Sequence, residues 1–370
     1  MPSQTWTLTD ATRNLHERDF HISSEDLPRA KGDWSVTQRR LQSGLSAGVD
    51  LVEIDSGHLR LIVVPTRGMG IWQATLGDET LGWRSPVRGP VHPKFVPLFD
   101  PNGLGWLEGF DEFVVRCGLE SNGAPDFDEQ GRLLYPLHGR IANCPAHHVE
   151  VTVDDTARTI TLRGIVEETR FHFQKLRLEA SVTMSLDSAS FTINDKVENF
   201  GGTLAEMQML YHINVGEPLL AAGDRVVAPV RSLEVAGDKG ESTEGWDLFG
   251  PPVAGKPEQC FFMTLLSDEA GQTQVLLKNA EGTAGTVVAF NTNSLPCFTL
   301  WKNEVASADG YVTGLEPATN FPNPRSVESQ QGRVVSLAPG ETWSAELVVG
   351  RLTTASEVSA AEKAIRAFKE

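Results

Sequence analysis

The stretch Leu178-Glu179-Ala180-Ser181-Val182-Thr183-Met184-Ser185-Leu186 alternates apolar and polar residues without a break. Successive side chains of a β-strand point to opposite faces, so this period of two predicts a strand with one buried face. Asp187-Ser188-Ala189-Ser190 follows with turn chemistry, and Phe191, Ile193 and Val197 then resume the alternation on a return strand. The two runs read as a hairpin. A similar pair precedes them, with Val149–Val153, the turn Asp154-Asp155-Thr156-Ala157, and a strand from Ile160 and Leu162 onward.

Outward from this centre, further strands are expected at Leu59–Val64, Gln208–Asn214, Val275–Lys278, Val287–Asn291, Cys297–Trp301 and Ala345–Val349. The 34 Gly and 21 Pro residues punctuate these runs. Regular alternation of strands with helices is missing, so a doubly wound sheet is not expected; antiparallel strands with long loops point to a large all-β sandwich. One helix is expected, at the C-terminus. Thr354 and Glu357 are spaced as a capping box, and Val358, Ala361, Ile365 and Phe368 then recur along one helical face. No linker divides the chain, so residues 1–370 are read as one domain. It has an N-terminal extension over 1–44, a sandwich over 45–350 and a helix over 354–369.

Composition narrows the function. Apolar residues make up 40% of the 370 and charged residues 22%, as in a soluble globular protein. The 32 basic and 49 acidic side chains give a net charge of −17, which opposes nucleic acid or an anionic membrane as the main partner. Cys117, Cys144, Cys260 and Cys297 lack metal-type spacing and read as reduced thiols. Residues 1–20 carry no apolar core of a signal peptide, and no apolar run approaches the roughly 18 residues that span a bilayer. A cytoplasmic location is expected; the oligomeric state is left open.

Three short motifs carry chemistry. Tyr211-His212-Ile213-Asn214 offers an imidazole, whose ordinary pKa of about 6.5 lets it give and take a proton. Gly314-Leu315-Glu316-Pro317 offers a carboxylate as the second half of an acid/base pair. Leu137-His138-Gly139-Arg140 adds another imidazole and a guanidinium. Such a set suits a sugar, in which two oxygens must exchange protons. The stretch from Leu81 to Asn143 is long and aperiodic, with Trp83, Phe95, Phe99, Trp106, Phe110 and Phe113 among acidic residues. Loops of that length are usually functional, and these rings serve either to stack on a sugar or to pack the core. Two imidazoles and a carboxylate are also a metal-ligand set, but no HxH or HExxH spacing supports one, and no metal or cofactor is expected. Gly44-Leu45-Ser46-Ala47-Gly48 matches GxSxG yet reads as a small-residue turn, and His147-His148 reads as surface or packing.

The order of these motifs resembles the aldose 1-epimerase (galactose mutarotase-like) superfamily, most closely its DUF4432 branch. Pro65-Thr66-Arg67-Gly68-Met69-Gly70-Ile71, Arg116-Cys117-Gly118-Leu119 and Leu337-Ala338-Pro339-Gly340-Glu341 support the match, which runs over residues 45–350. The resemblance implies a β-supersandwich with its site on the concave face, and an isomerase of sugars. His212 then matches the general acid, Glu316 the general base, and His138 the imidazole near the ring oxygen. Arg116, 22 positions before His138, loosely matches a substrate-binding Arg. Arg67 and Arg140 match the branch's own pattern as pocket residues for a carboxylate or sulfonate, and Asn214 and Trp301 complete the expected substrate-binding set. Arg140 replaces a second Gly after Leu-His-Gly, and Asn214-Val215 replaces Asn-Leu, which leaves the sugar open. Two other readings stand beside a mutarotase: a lyase or isomerase of acidic or oxidised sugars, and a carbohydrate-binding protein without catalysis.

Overall fold

The computed structural model describes residues 3–27, 32–237 and 242–369. The alternating stretch is the strand Lys175–Ser185, with every second residue buried. It pairs antiparallel with Thr159–Thr169 on one side and Ser190–Asn199 on the other, so Val182 lies between Leu162 and Ile193. His148–Asp154 and Thr342–Leu352 extend the two edges. Among the described residues this sheet has ten strands.

Among the described residues a thirteen-stranded sheet packs against it. Leu162, Val182 and Ile193 meet Met209, Tyr211, Ile213 and Leu315 in one core, all without solvent exposure. Each such aliphatic side chain contributes roughly 1.5–3 kcal/mol by leaving water. In the second sheet, Ala205–Gly216 runs between Val114–Leu119 and Val312–Ala318, and beyond the latter come Cys297–Asn303 and Gln259–Leu265.

All but one residue of Ala205–Gly216 is buried, which breaks the one-wet-face rule of the hairpins. The segment from Leu81 to Asn143 is the cause. It folds back over the outer face of this sheet and packs Trp106 and Phe110 onto Val115, Cys117, Leu210 and Ala318. Far from lacking structure, that segment contains three 3₁₀ turns and the strands Val114–Leu119, Asp126–Phe127 and Leu133–Tyr135.

The residues before 44 form strands at sheet margins. Ser3–Asp10 pairs with His148–Asp154, while Asp19–Ser23 and Ser35–Arg40 extend the other sheet. The C-terminal helix is Ala355–Arg366, with the capping box of Thr354 and Glu357 formed. Val358 and Ile365 cover Leu276, whereas Phe368 lies beyond the last turn. A short helix at Arg325–Gln330 was not anticipated. Gly44–Ser46 is a 3₁₀ turn, and the four cysteines are free.

Candidate active site

Strand parity decides which side chains reach the outer face. Tyr211 and Ile213 point into the core, so Leu210, His212 and Asn214 point out beneath the covering segment. On the neighbouring strand Leu315 points in and Glu316 points out. Nε2 of His212 consequently lies 3.2 Å from Oε1 of Glu316, with both groups buried. Gly314 makes this approach possible. A Cβ there would sit 2.3 Å from Oε1 of Glu316 and 3.0 Å from Cε1 of His212.

His138 arrives from the opposite wall, its ring 5.4 Å from that of His212. Its backbone is left-handed, with φ of 55°, and the next residue must be glycine: a Cβ on Gly139 would come within 1.9 Å of the Ser121 carbonyl. Nδ1 of His138 lies 2.9 Å from the Asn122 carbonyl. A carbonyl only accepts, so Nδ1 carries the proton and Nε2 presents a lone pair.

A buried clamp ties the three motif segments together. The Asn122 and Asn320 side chains exchange two hydrogen bonds of 3.0 and 2.9 Å. Thr319 donates to Asn320 at 2.8 Å and accepts from the Met209 amide at 3.0 Å. Asn122 thereby holds the His138 loop, Met209 the His212 strand, and Thr319 and Asn320 the end of the Glu316 strand.

These groups face a cavity of about 640 Å³. Trp106, Phe110, Trp301 and Phe262 supply aromatic walls, and Phe110 and Trp301 lie 5.2 and 5.4 Å from the His212 ring. Trp301 is fixed by donating its indole N–H to Glu258 at 2.8 Å. No Lys or Arg lines the cavity among the described residues.

Burial governs the protonation of the site. It pushes His212 well below the usual imidazole range, helped by His138, and pushes Glu316 well above the carboxylate range, helped by the charge of Glu258. His138 is lowered to about 4, again by burial, with the Asn122 hydrogen bond opposing. The His212–Glu316 pair therefore holds one proton between two desolvated groups, and its titration belongs to the pair. The 3.2 Å approach is not aligned as a hydrogen bond: Oε1 of Glu316, Nδ1 of His212 and Nε1 of Trp106 are all buried without a hydrogen-bond partner among the described residues. Buried polar atoms are nearly always paired, so three orphans beside one cavity mark a place completed by a polar ligand or water.

Of the eight residues expected here, His212, Glu316, His138 and Trp301 share the cavity, and four do not. Arg116 is opposite Tyr211 in the strand register and so points between the sheets, where it pairs with Asp195 at 2.5 and 2.9 Å. Arg67 is fully buried; it pairs with Glu112 at 2.6 Å and donates to Val91, Asn143 and Gly109. Both guanidiniums are buried against protein partners and neither lines the cavity. Arg140 turns away after Gly139 and lies 3.7 Å from both Glu120 and Glu168. Asn214 shares a face with His212 but donates to the carbonyls of Glu112 and His212, bracing the wall instead of lining it.

Sequence reasoning missed Glu258, Cys260 and the Pro322-Asn323-Pro324 rim. Cys260 is opposite Trp301 in the register, so recognition of the strand Gln259–Leu265 would have found it. Phe110 lay in the aromatic stretch without being singled out.

The motif order agrees with a family model. The model described as "Domain of unknown function (DUF4432)" matches residues 46–350. The chain belongs to the DUF4432 family. A Klebsiella pneumoniae protein proposed to be an aldose 1-epimerase is 35% identical, with a TM-score of 0.95 over 100% of this chain and 96% of that one. A galactose mutarotase-like protein from Clostridium acetobutylicum is 16% identical, with a TM-score of 0.58 over 86% of this chain and 98% of its own. An Escherichia coli K12 protein, also proposed to be an aldose 1-epimerase, is 16% identical, with a TM-score of 0.55 over 82% and 99%. No curated protein matches this chain. The DUF4432 fold seen here is thus the galactose mutarotase-like one.

Proposed function

We propose that this DUF4432 protein is an aldose 1-epimerase-like isomerase that interconverts the anomers of an uncharged sugar. The observation that carries this reading is the 3.2 Å approach of His212 Nε2 to Glu316 Oε1 within an aromatic cavity. Opening a cyclic hemiacetal requires removing the proton of the O1 hydroxyl and supplying one to the ring oxygen O5. Both oxygens are on one carbon, so a neighbouring acid and base can serve them together.

On sugar binding the proton of the pair passes from Glu316 to Nε2 of His212; Glu316 then takes the O1 proton while His212 gives its Nε2 proton to O5, and the C1–O5 bond breaks to leave the open aldehyde. Rotation about C1–C2 and reclosure return both protons and deliver the other anomer. The pair begins and ends with one proton, so the cycle balances. The lone pair on His138 Nε2 accepts a sugar hydroxyl, and the aromatic walls pack on C–H faces. General acid/base assistance of this kind is typically worth about 10²–10⁴-fold per group. The reading on acidic sugars rested on Arg67 and Arg140, and those guanidiniums are turned elsewhere.

Saturation-transfer NMR between anomer resonances, run on neutral aldoses and on a uronic acid, tests the proposal. Rapid exchange of a neutral aldose, abolished in both His212→Ala and Glu316→Gln, is the expected outcome. Exchange that persists unchanged in either variant would remove that residue from the mechanism.

A further inference from the structure

A second cavity, of about 450 Å³, lies behind the aromatic wall of the first. Trp83 lines this second space, and its ring is 4.8 Å from Phe110, which lines the first. The chain crosses the wall in one step: Phe110 faces one cavity and Asp111 the other.

Asp111 is 6% exposed, a rare position for a carboxyl group. Its Oδ2 accepts the Trp72 indole N–H at 2.8 Å, while Oδ1 has no hydrogen-bond partner among the described residues. Burial, with the neighbouring charge of Glu112, pushes this carboxyl well above its usual range and keeps it uncharged. The group is then an O–H donor that lacks an acceptor. Opposite it the backbone comes unusually close, because a Cβ on Gly89 would sit 1.8 Å from Oδ2.

The charges around the rim cancel. Arg84 and Arg88 have no ion-pair partner among the described residues, and the carboxylates of Asp78 and Glu217 oppose them. Glu79 is neutralised by Arg351 at 2.8 Å. Neither an anion nor a cation is favoured by such a balance. Guanidinium donors and carboxylate acceptors beside indole rings are instead the chemistry of a hydroxyl-rich, uncharged ligand.

We infer that this space is a second carbohydrate-binding site, for a neutral sugar, separate from the His212–Glu316 cavity. It requires no chemistry at the first site and holds whether or not that site turns over a sugar. Because Trp83 touches Phe110, and Phe110 touches the His212 ring at 5.2 Å, occupancy of the second site bears directly on the wall of the first.

The test uses full-length protein with 15N-labelled tryptophan. The Trp72 and Trp301 indole signals, assigned through Trp72→Phe and Trp301→Phe, report the two cavities. D-glucose and D-galactose are titrated separately, with glucuronate and inorganic phosphate as charged probes. A saturable shift of the Trp72 signal with a neutral sugar is expected. In the Arg84→Ala/Arg88→Ala variant, altered only at exposed positions, affinity read at Trp72 should fall about tenfold or more, as expected for losing charge-assisted hydrogen bonds, while the Trp301 response is kept. The inference is overturned by a Trp72 signal that stays still, by an unchanged response in the double variant, or by stronger binding of either charged probe. A still Trp301 signal beside a moving Trp72 signal would count against the proposed function only.

Discussion

Gly314→Ala places one methyl group against the acid/base pair and nowhere else. Position 314 lies outside the left-handed region, so the backbone accepts alanine without strain. The new Cβ would nonetheless stand 2.3 Å from Oε1 of Glu316. Non-bonded heavy atoms settle near about 3.5 Å, so the carboxyl oxygen must retreat by roughly 1 Å. A displacement of about 1 Å in a reacting group can cost about 10²-fold in rate, and overpacking typically costs about 1–3 kcal/mol in stability. The expected variant is folded, with a lowered melting temperature and anomer exchange slowed by about 10²-fold. Gly164→Ala separates the two effects. Its Cβ would meet Met69 Sδ at 2.3 Å, inside the core, where a methionine can partly adapt. That variant should lose stability while keeping its exchange rate per folded molecule. Saturation-transfer NMR for rate, with thermal melts for folding, decides the matter. A folded Gly314→Ala enzyme exchanging at the parent rate would refute the view that the His212–Glu316 approach performs the chemistry.

Arg116→Met should act on stability and leave substrate affinity alone. Removing one partner from a buried ion pair costs about 3–5 kcal/mol, measurable by urea denaturation, and adding Asp195→Asn should recover part of it while leaving an acceptor for the Tyr211 hydroxyl. A raised KM in the folded fraction would instead return Arg116 to the substrate. The pH dependence of folding follows from His138, held near 4 in the folded chain against 6.5 unfolded. Below 6.5 the unfolded chain binds a proton that the folded one refuses, so stability falls as pH drops through that window towards about 4. His138→Asn, which tolerates the left-handed backbone, should flatten this acid limb in denaturation curves recorded across the window. Glu316 acts in the opposite sense, since its raised carboxyl costs stability as pH climbs above 4.5.

The fold was legible wherever one sheet face is buried and the other wet, because burial then writes itself as period two. The strands Thr159–Thr169, Lys175–Ser185 and Ser190–Asn199 are of that kind. The C-terminal helix was legible through local chemistry, since its cap is made by residues three apart. Gln259–Leu265 and Val114–Leu119 were not, because nearly all their residues are buried or half-buried and no alternation survives. The motifs brought out His138, His212 and Glu316. They could not say which way a side chain points: Arg116 turns into the core by strand parity, Arg67 and Arg140 lie in turns off these strands, and Asn214, on the His212 face, is taken up by backbone carbonyls. A one-residue step along a strand exchanges the core for the cavity, and a short motif does not carry that information.

The same parity explains why the site is held so firmly. Arg116 and Tyr211 face inward and share Asp195 across the two sheets, while their chain neighbours Val115 and His212 face outward. The inward pairing fixes the register of the two strands, and the register sets where the imidazole stands. Glu316 is held in the same way, with Leu315 anchored in the core on one side and the Thr319–Asn320 clamp beyond it. An acid and a base that must stay desolvated, and within reach of two oxygens on one sugar carbon, gain from side chains that have no freedom to turn away. In the proposed mechanism the buried polar pairs between the sheets act on the site only through the fold, so weakening them should cost stability while substrate affinity in the folded fraction is kept.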